Sequence, residues 1–226
     1  MVEKLKKWTG YLLVIAIFAA LSGCGRSVEE KIYSLLEEVA EKESGFAEQQ
    51  KPLLELEKKE GNLYEEILET GLKEREKIVR LSEEALSVLE NQRKQIAREK
   101  EFIDSGRESF ENLNKYIDEL DDDSLRKLAL QLEDLMTERY NTYDRLYNQY
   151  LEQIEQNEEL YRLLQKEDVT IDELEPQVEK INESSGQLQE LNDRFNELTE
   201  EYNLTKINFY KKAGLNIRQE DEKRGS

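Results

Sequence analysis

The sequence predicts an all-α protein, an elongated up-and-down bundle of about four long antiparallel helices. Three observations carry that prediction. The 226 residues are 38% charged and 37% hydrophobic, near-equal fractions that suit long helices with one narrow buried face. Only 10 Gly and 2 Pro are present, too few turn formers for a β-sandwich, a barrel or a doubly wound sheet. After Cys24, apolar residues recur with alternating three- and four-residue spacing almost to the end, and strand-period alternation never lasts more than a few residues.

The first segment places Val28, Ile32, Leu35, Val39, Phe46, Leu53, Leu56, Leu63 and Ile67 on one register, interrupted at Lys42, Gln49 and Glu60. Leu36, Leu54, Tyr64 and Leu68 widen the stripe, which favours a bundle over a two-stranded coil. The second segment repeats the pattern from Ile78 through Leu81, Ala85, Val88, Ile96, Ile103 and Phe110 to Leu120. In the third it runs from Leu125 through Leu132, Met136, Tyr140, Tyr143, Tyr147, Tyr150 and Ile154 to Tyr161. The fourth carries Leu174, Val178, Ile181, Leu188, Leu191, Phe195, Leu198, Tyr202 and Phe209, with a phase slip near Leu188–Leu191 that suggests a local change in winding.

Thr70-Gly71 is the expected first break, with Ser44-Gly45, Pro52 and Gly61 as weaker alternatives because the register runs through all three. Asp121-Asp122-Asp123-Ser124 combines poor helix-interior formers with good N-caps, so one helix should end there and the next begin. Thr170 and Glu173 have capping-box spacing, with Glu173 reaching back, and Pro176 sits slightly deep for that start. The breaks predict helices near 27–70, 72–120, 124–167 and 171–213, and at about 1.5 Å per residue a segment of about 42 residues is roughly 60 Å long. A chain helical through Gly71 would instead give a three-helix bundle with one very long helix.

The N-terminus reads as an export signal. Lys4, Lys6 and Lys7 precede an apolar run from Tyr11 to Ala20, too short to span a bilayer comfortably. Leu21-Ser22-Gly23-Cys24 follows and is similar to a bacterial lipobox, in which cleavage after the small residue frees a cysteine that carries diacylglycerol. The reading is therefore a signal peptide over 1–23, cleavage between Gly23 and Cys24, lipidation of Cys24, an extracytoplasmic bundle over 24–215 and a polar, disordered tail over 216–226. The alternative is an ordinary signal peptide with an incidental cysteine. Removing residues 1–23 takes away three lysines and Glu3, which moves the formal charge from -19 to -21. So acidic a chain should not adhere to nucleic acid or to anionic headgroups, and its membrane attachment would come from acyl chains on Cys24.

Enzymatic chemistry is disfavoured. There is no histidine and only one cysteine, which removes the commonest general base, the commonest transition-metal ligand and any zinc or iron–sulfur cluster. No phosphate loop, dinucleotide fingerprint or Gly-x-Ser-x-Gly elbow occurs. Asp121-Asp122-Asp123 has Arg126 where a calcium loop needs glycine and Leu132 where it needs glutamate. No metal and no cofactor is expected. Tyr140, Tyr143, Tyr147 and Tyr150 fall on one helix face and have two readings: a packed core stripe continuous with Leu132, Met136 and Ile154, or a strip of rings that contacts glycan. Lys94, Arg98, Lys100, Lys206, Lys211 and Lys212 are the nearest approach to a basic patch, and scattered solvated charge is the simpler reading.

Three stretches in order, EEKIYSLLEEVAEKESGFAEQQKPLLELEKKE at 29–60, RYNTYDRLYNQY at 139–150 and NFYKKAGL at 208–215, resemble the YkyA-like cell-wall-binding lipoproteins of Gram-positive bacteria over essentially the whole mature chain. The resemblance implies an extracytoplasmic helical bundle anchored at the outer face of the cytoplasmic membrane, with the cell wall as its partner and no catalytic residues to carry over. Anionic wall polymers would repel a chain of this charge at low ionic strength, so wall binding would need sugar contacts, bridging cations or a local basic patch. The expected function is a lipid-anchored tether or spacer. The alternative is an envelope scaffold in which leftover apolar positions such as Leu36, Leu54 and Leu68 meet a protein partner or a second copy.

Overall fold

The computed structural model describes residues 26–71 and 74–215. Leu21, Ser22, Gly23, Cys24, the signal peptide and the tail 216–226 lie outside them. Five α-helices form among the described residues: α1 (Val28–Thr70), α2 (Arg75–Phe110), the single-turn α3 (Asn114–Ile117), α4 (Asp123–Leu164) and α5 (Ile171–Lys212). A 3₁₀ turn, Glu111–Leu113, joins α2 to α3, and no strand occurs among the described residues.

The caps explain the boundaries. Ser27 Oγ accepts the Glu30 N–H at 3.2 Å while the Glu30 carboxylate accepts the Ser27 N–H at 3.1 Å, so the reciprocal box that starts α1 lies in Ser-Val-Glu-Glu. Gly71, at φ 64°, ends the helix, with its N–H bonded to Ile67 O at 3.1 Å. The break that separates a four-helix from a three-helix bundle therefore exists. Asp122 Oδ1 accepts the N–H groups of Ser124 at 2.7 Å and Leu125 at 3.1 Å, and these bonds hold its carboxyl below the usual range. The aspartate run starts α4. Glu173 accepts the Thr170 N–H at 2.9 Å and starts α5, which then runs unbroken through Pro176 and through the phase slip at Leu188–Leu191.

The second segment departs from a single continuous helix, since α2 stops at Phe110 and the chain reaches Ile117 by way of the 3₁₀ turn and α3. Ser44-Gly45, Pro52 and Gly61 do not break α1. Gly45 has another role: a Cβ there would stand 2.2 Å from the Phe102 ring on α2. Reciprocally, a Cβ on Gly106 of α2 would stand 2.6 Å from Glu43 of α1. Two glycines, one on each helix, let the α1 and α2 backbones approach closely.

In the bundle α1 lies along α2, α2 faces α4, and α4 lies along α5. The square closes between α1 and α5, where side chains rather than close backbone approach make the contact. Tyr33 meets Tyr210 with ring centroids 4.7 Å apart, which places the start of α1 and the end of α5 at the same end of the rod. Two hydrophobic clusters fill the interior. One, nearest the chain start, is rich in aromatic rings: Phe110, Tyr140, Tyr143, Phe195, Tyr202, Phe209 and Tyr210 among Ile32, Leu36, Ile103 and Leu132. The other is mostly aliphatic, built from Leu53, Ile67, Ile78, Leu81, Val88, Leu89, Ile96, Ile154 and Leu164 with Tyr150 and Tyr161. We call these the proximal and distal halves. Tyr147 packs against both. No helix of the described residues is long and apolar enough to cross a membrane.

Candidate functional site

The least tightly closed seam, between α1 and α5, holds a cleft. Its volume is about 340 Å³, at the lower end of small-ligand pockets. Val39, Ala40, Phe46 and Ala47 of α1 form one wall, Met136 and Arg139 of α4 the floor, and Thr199, Tyr202, Asn203, Lys206 and Ile207 of α5 the other wall. A second groove of about 180 Å³ lies further along the same seam, between Glu60, Gly61 and Tyr64 of α1 and Val178, Ile181 and Asn182 of α5.

Charge inside the larger of these two grooves is organised by two buried ion pairs. Arg139 pairs with Glu43 at 2.9 Å, their side chains only 6% and 13% exposed. The Arg139 Nε donates to Thr199 Oγ1 at 2.8 Å, and the guanidinium lies 4.6 Å from the centroid of the Phe195 ring. Tyr140 donates its hydroxyl to Glu43 Oε1 at 2.8 Å. On the α5 wall, Lys206 Nζ lies 3.4 Å from Glu37 Oε1, which also accepts the Tyr210 hydroxyl at 2.9 Å. Each buried cation thus has its carboxylate. The Tyr202 hydroxyl does not share in this: it lies among the charges of Glu43, Arg139 and Glu37 yet bonds to nothing. Burial pushes its pKa far above the ordinary phenol value, so it remains a proton donor.

The distal half carries a different set of polar groups. Glu57 accepts the Tyr150 hydroxyl at 2.7 Å, Glu60 accepts that of Tyr161, and Glu99 accepts from Gln50 Nε2 at 2.9 Å. No lysine or arginine pairs with these three among the described residues. Burial pushes all three carboxyls up, and the Glu57 charge adds to the shift at Glu60 and at Glu99, which reaches about 8. Among the described residues no group of three or more acidic or cysteine side chains is arranged to hold a metal ion.

The tyrosine face is core. Tyr140, Tyr143 and Tyr150 are buried and Tyr147 is partly buried beneath Lys100, whose Nζ lies 5.5 Å from the ring centroid. Of the two readings of this face the packed core stripe fits, since three of the four rings are buried and have no face to offer a sugar. The basic residues make no patch either. Lys94 pairs with Glu90, Lys100 with Asp104 and Asp144, and Lys206 with Glu37, while Lys211 and Lys212 stand exposed at the end of α5. Of the apolar positions set aside for a partner, Leu36 is fully buried, whereas Leu54 and Leu68 are 60% and 61% exposed. Sequence reasoning did not single out Glu43 or Arg139. Charged residues beside an apolar stripe look the same in sequence whether they face solvent or a neighbouring helix.

Long antiparallel helices and a core in two clusters define a helical-bundle rod protein. Its similarity to known proteins narrows that class. The family model described as "Putative cell-wall binding lipoprotein", YkyA, matches residues 27–212, and the chain belongs to that family. It is 30% identical over 205 residues to the uncharacterized lipoprotein YkyA of Bacillus subtilis (strain 168), covering 90% of this chain and 92% of that one. A 1.6 Å crystal structure of a conserved protein of unknown function from Staphylococcus aureus has the same fold, with a TM-score of 0.71 and 19% identity, over 83% of this chain and 98% of that one.

Proposed function

We propose that the protein is a lipid-anchored tether at the outer face of the cytoplasmic membrane, held by diacylglycerol on Cys24 and binding the cell wall through its helical rod. Membership of a lipoprotein family described by cell-wall binding is the observation that carries this reading. The geometry is compatible with it. Cys24 precedes the start of α1 by four residues, so an anchor there would hold the proximal end near the membrane and direct the loops after Thr70 and Leu164 outward. With helices of 42 and 43 residues, the reach is roughly 60 Å. The mechanism is tethering: acyl chains supply membrane affinity, and the bundle supplies a rigid spacer with a binding surface.

The test is cosedimentation of the protein with isolated sacculi, with and without magnesium, across a salt series. Saturable binding supports the tether, and its loss on chelation identifies cations bridging two anionic partners. Absence of binding at every salt concentration overturns it. A second reading, an envelope scaffold that associates through α1, rests on the exposed Leu54 and Leu68. A molecular mass that rises with concentration in ultracentrifugation would favour it.

A further inference from the structure

We infer that the α1/α5 cleft is a binding site for a neutral acetamido sugar of the wall glycan, with the Tyr202 hydroxyl donating to the ligand's amide carbonyl. The inference rests on the tether reading and assigns its ligand site. Three features of the cleft define the chemistry.

The first is an unmet donor. Tyr202 is 6% exposed and lines the cleft, and its hydroxyl has no acceptor within the protein. A buried hydroxyl left unpaired is costly, and an acceptor supplied by a ligand removes that cost. The second is charge balance. Arg139 and Lys206, both nine-tenths buried, already face Glu43 and Glu37 at 2.9 Å and 3.4 Å. An anion would upset this balance and a cation would compete for the carboxylates, so the ligand that fits is neutral. The third is shape. Ala40 and Ala47 leave room for a methyl group, the partly buried Phe46 ring offers an apolar surface, and Asn203 offers an amide for sugar hydroxyls. Because the Tyr202 oxygen is shut off from bulk water, the ligand reaches it by a slight parting of α1 and α5. Side chains rather than close backbone approach hold that seam, so the parting strains side-chain contacts, the Glu37 bonds to Lys206 and Tyr210 among them, and separates no packed backbones.

The experiment is ligand-observed NMR on the full chain in lipid nanodiscs, titrated with the N-acetylglucosamine trimer and, as a control lacking acetamido groups, with the glucose trimer maltotriose. The expected result is saturable binding of the first and none of the second. Tyr202→Phe keeps the ring and removes the donor, so it should weaken binding about fivefold to tenfold while leaving the melting temperature unchanged or higher. Ala47→Leu, at an exposed position, should fill the cleft and abolish binding without unfolding the protein. Absence of saturable trimer binding, equal binding of maltotriose, or binding indifferent to both folded variants overturns the inference. The same variants in sacculus cosedimentation separate the two claims. Sacculi held equally well by both variants would leave the tether standing and remove the cleft as its site, whereas trimer binding without sacculus binding would remove the tether alone.

Discussion

The two halves of the rod bury carboxylates in opposite ways. In the proximal half Glu37 and Glu43 face Lys206 and Arg139, and aromatic rings surround the pairs. In the distal half Glu57, Glu60 and Glu99 meet only tyrosine hydroxyls and glutamine amides within a mostly aliphatic cluster. The coverage differs as well: α5 supplies Phe195, Leu198, Tyr202, Phe209 and Tyr210 as buried side chains proximally, whereas distally its apolar Leu174, Val178, Ile181 and Leu188 are only half-buried and its buried side chains are the polar Gln177 and Ser184. A carboxylate paired with a cation can remain charged in a closed core, whereas one paired with neutral donors is more easily buried as the acid. The proximal half is therefore charge-matched, and the distal half is one whose stability follows pH.

The largest effect expected from this difference comes from breaking the proximal pair. Arg139→Met leaves Glu43 buried without its cation and should cost about 3–5 kcal/mol in chemical denaturation, part of which Glu43→Gln on the same chain should restore. A cost under 1 kcal/mol would show that the pair does not hold the proximal half together. Next is the α1–α2 approach. Gly45→Ala drives a methyl into the Phe102 ring and should cost about 1–3 kcal/mol, while Gly61→Ala, where a Cβ meets nothing within 4 Å, should stabilise α1 slightly. Equal effects at the two glycines would contradict the close approach.

Distally the sign reverses. The Glu99 carboxyl titrates near 4.5 when unfolded and near 8 when folded, so between those values the native chain holds the extra proton. Stability from this group is complete below pH 4.5 and falls as pH rises to 8. Glu99→Gln should accordingly gain on the order of 1–2 kcal/mol at pH 8 and almost nothing at pH 5. Hydrogen exchange compared between the two pH values should show the change in the distal half of the rod only. A mutant profile parallel to that of the original chain would exclude Glu99 as its cause. The smallest effect is at the surface: Leu54→Lys with Leu68→Lys should shift stability by no more than about 0.5 kcal/mol per site, and any change in sedimenting mass would support self-association through α1.

Much of this architecture was legible in the residues. Thr70-Gly71, Asp122 and Thr170 mark helix boundaries because glycine tolerates positive φ and short polar side chains satisfy exposed backbone N–H groups, both local effects. The three residues that interrupt the first register also proved informative. Lys42 reaches Ser109 and Glu38, Gln49 accepts from Gln95 at 2.7 Å, and Glu60 accepts from Tyr161, so each interruption is a polar contact across the bundle. Gly45 was ambiguous because a glycine that ends a helix and one that admits a neighbouring ring look alike in sequence. Leu36 and Leu54, both widening the same stripe, ended on opposite sides of the surface because a register does not say how far the neighbouring helices wrap round it.

Composition and three–four spacing were enough to establish long helices and most of their ends, because period, caps and turns act over a few residues. Which tyrosines face inward, which acid meets which base and where a seam stays open required the packed bundle. Glu43 and Arg139, or Glu37 and Lys206, are brought together only when helices distant in sequence lie side by side. The cleft is likewise a property of the α1/α5 seam, and neither helix contains it alone.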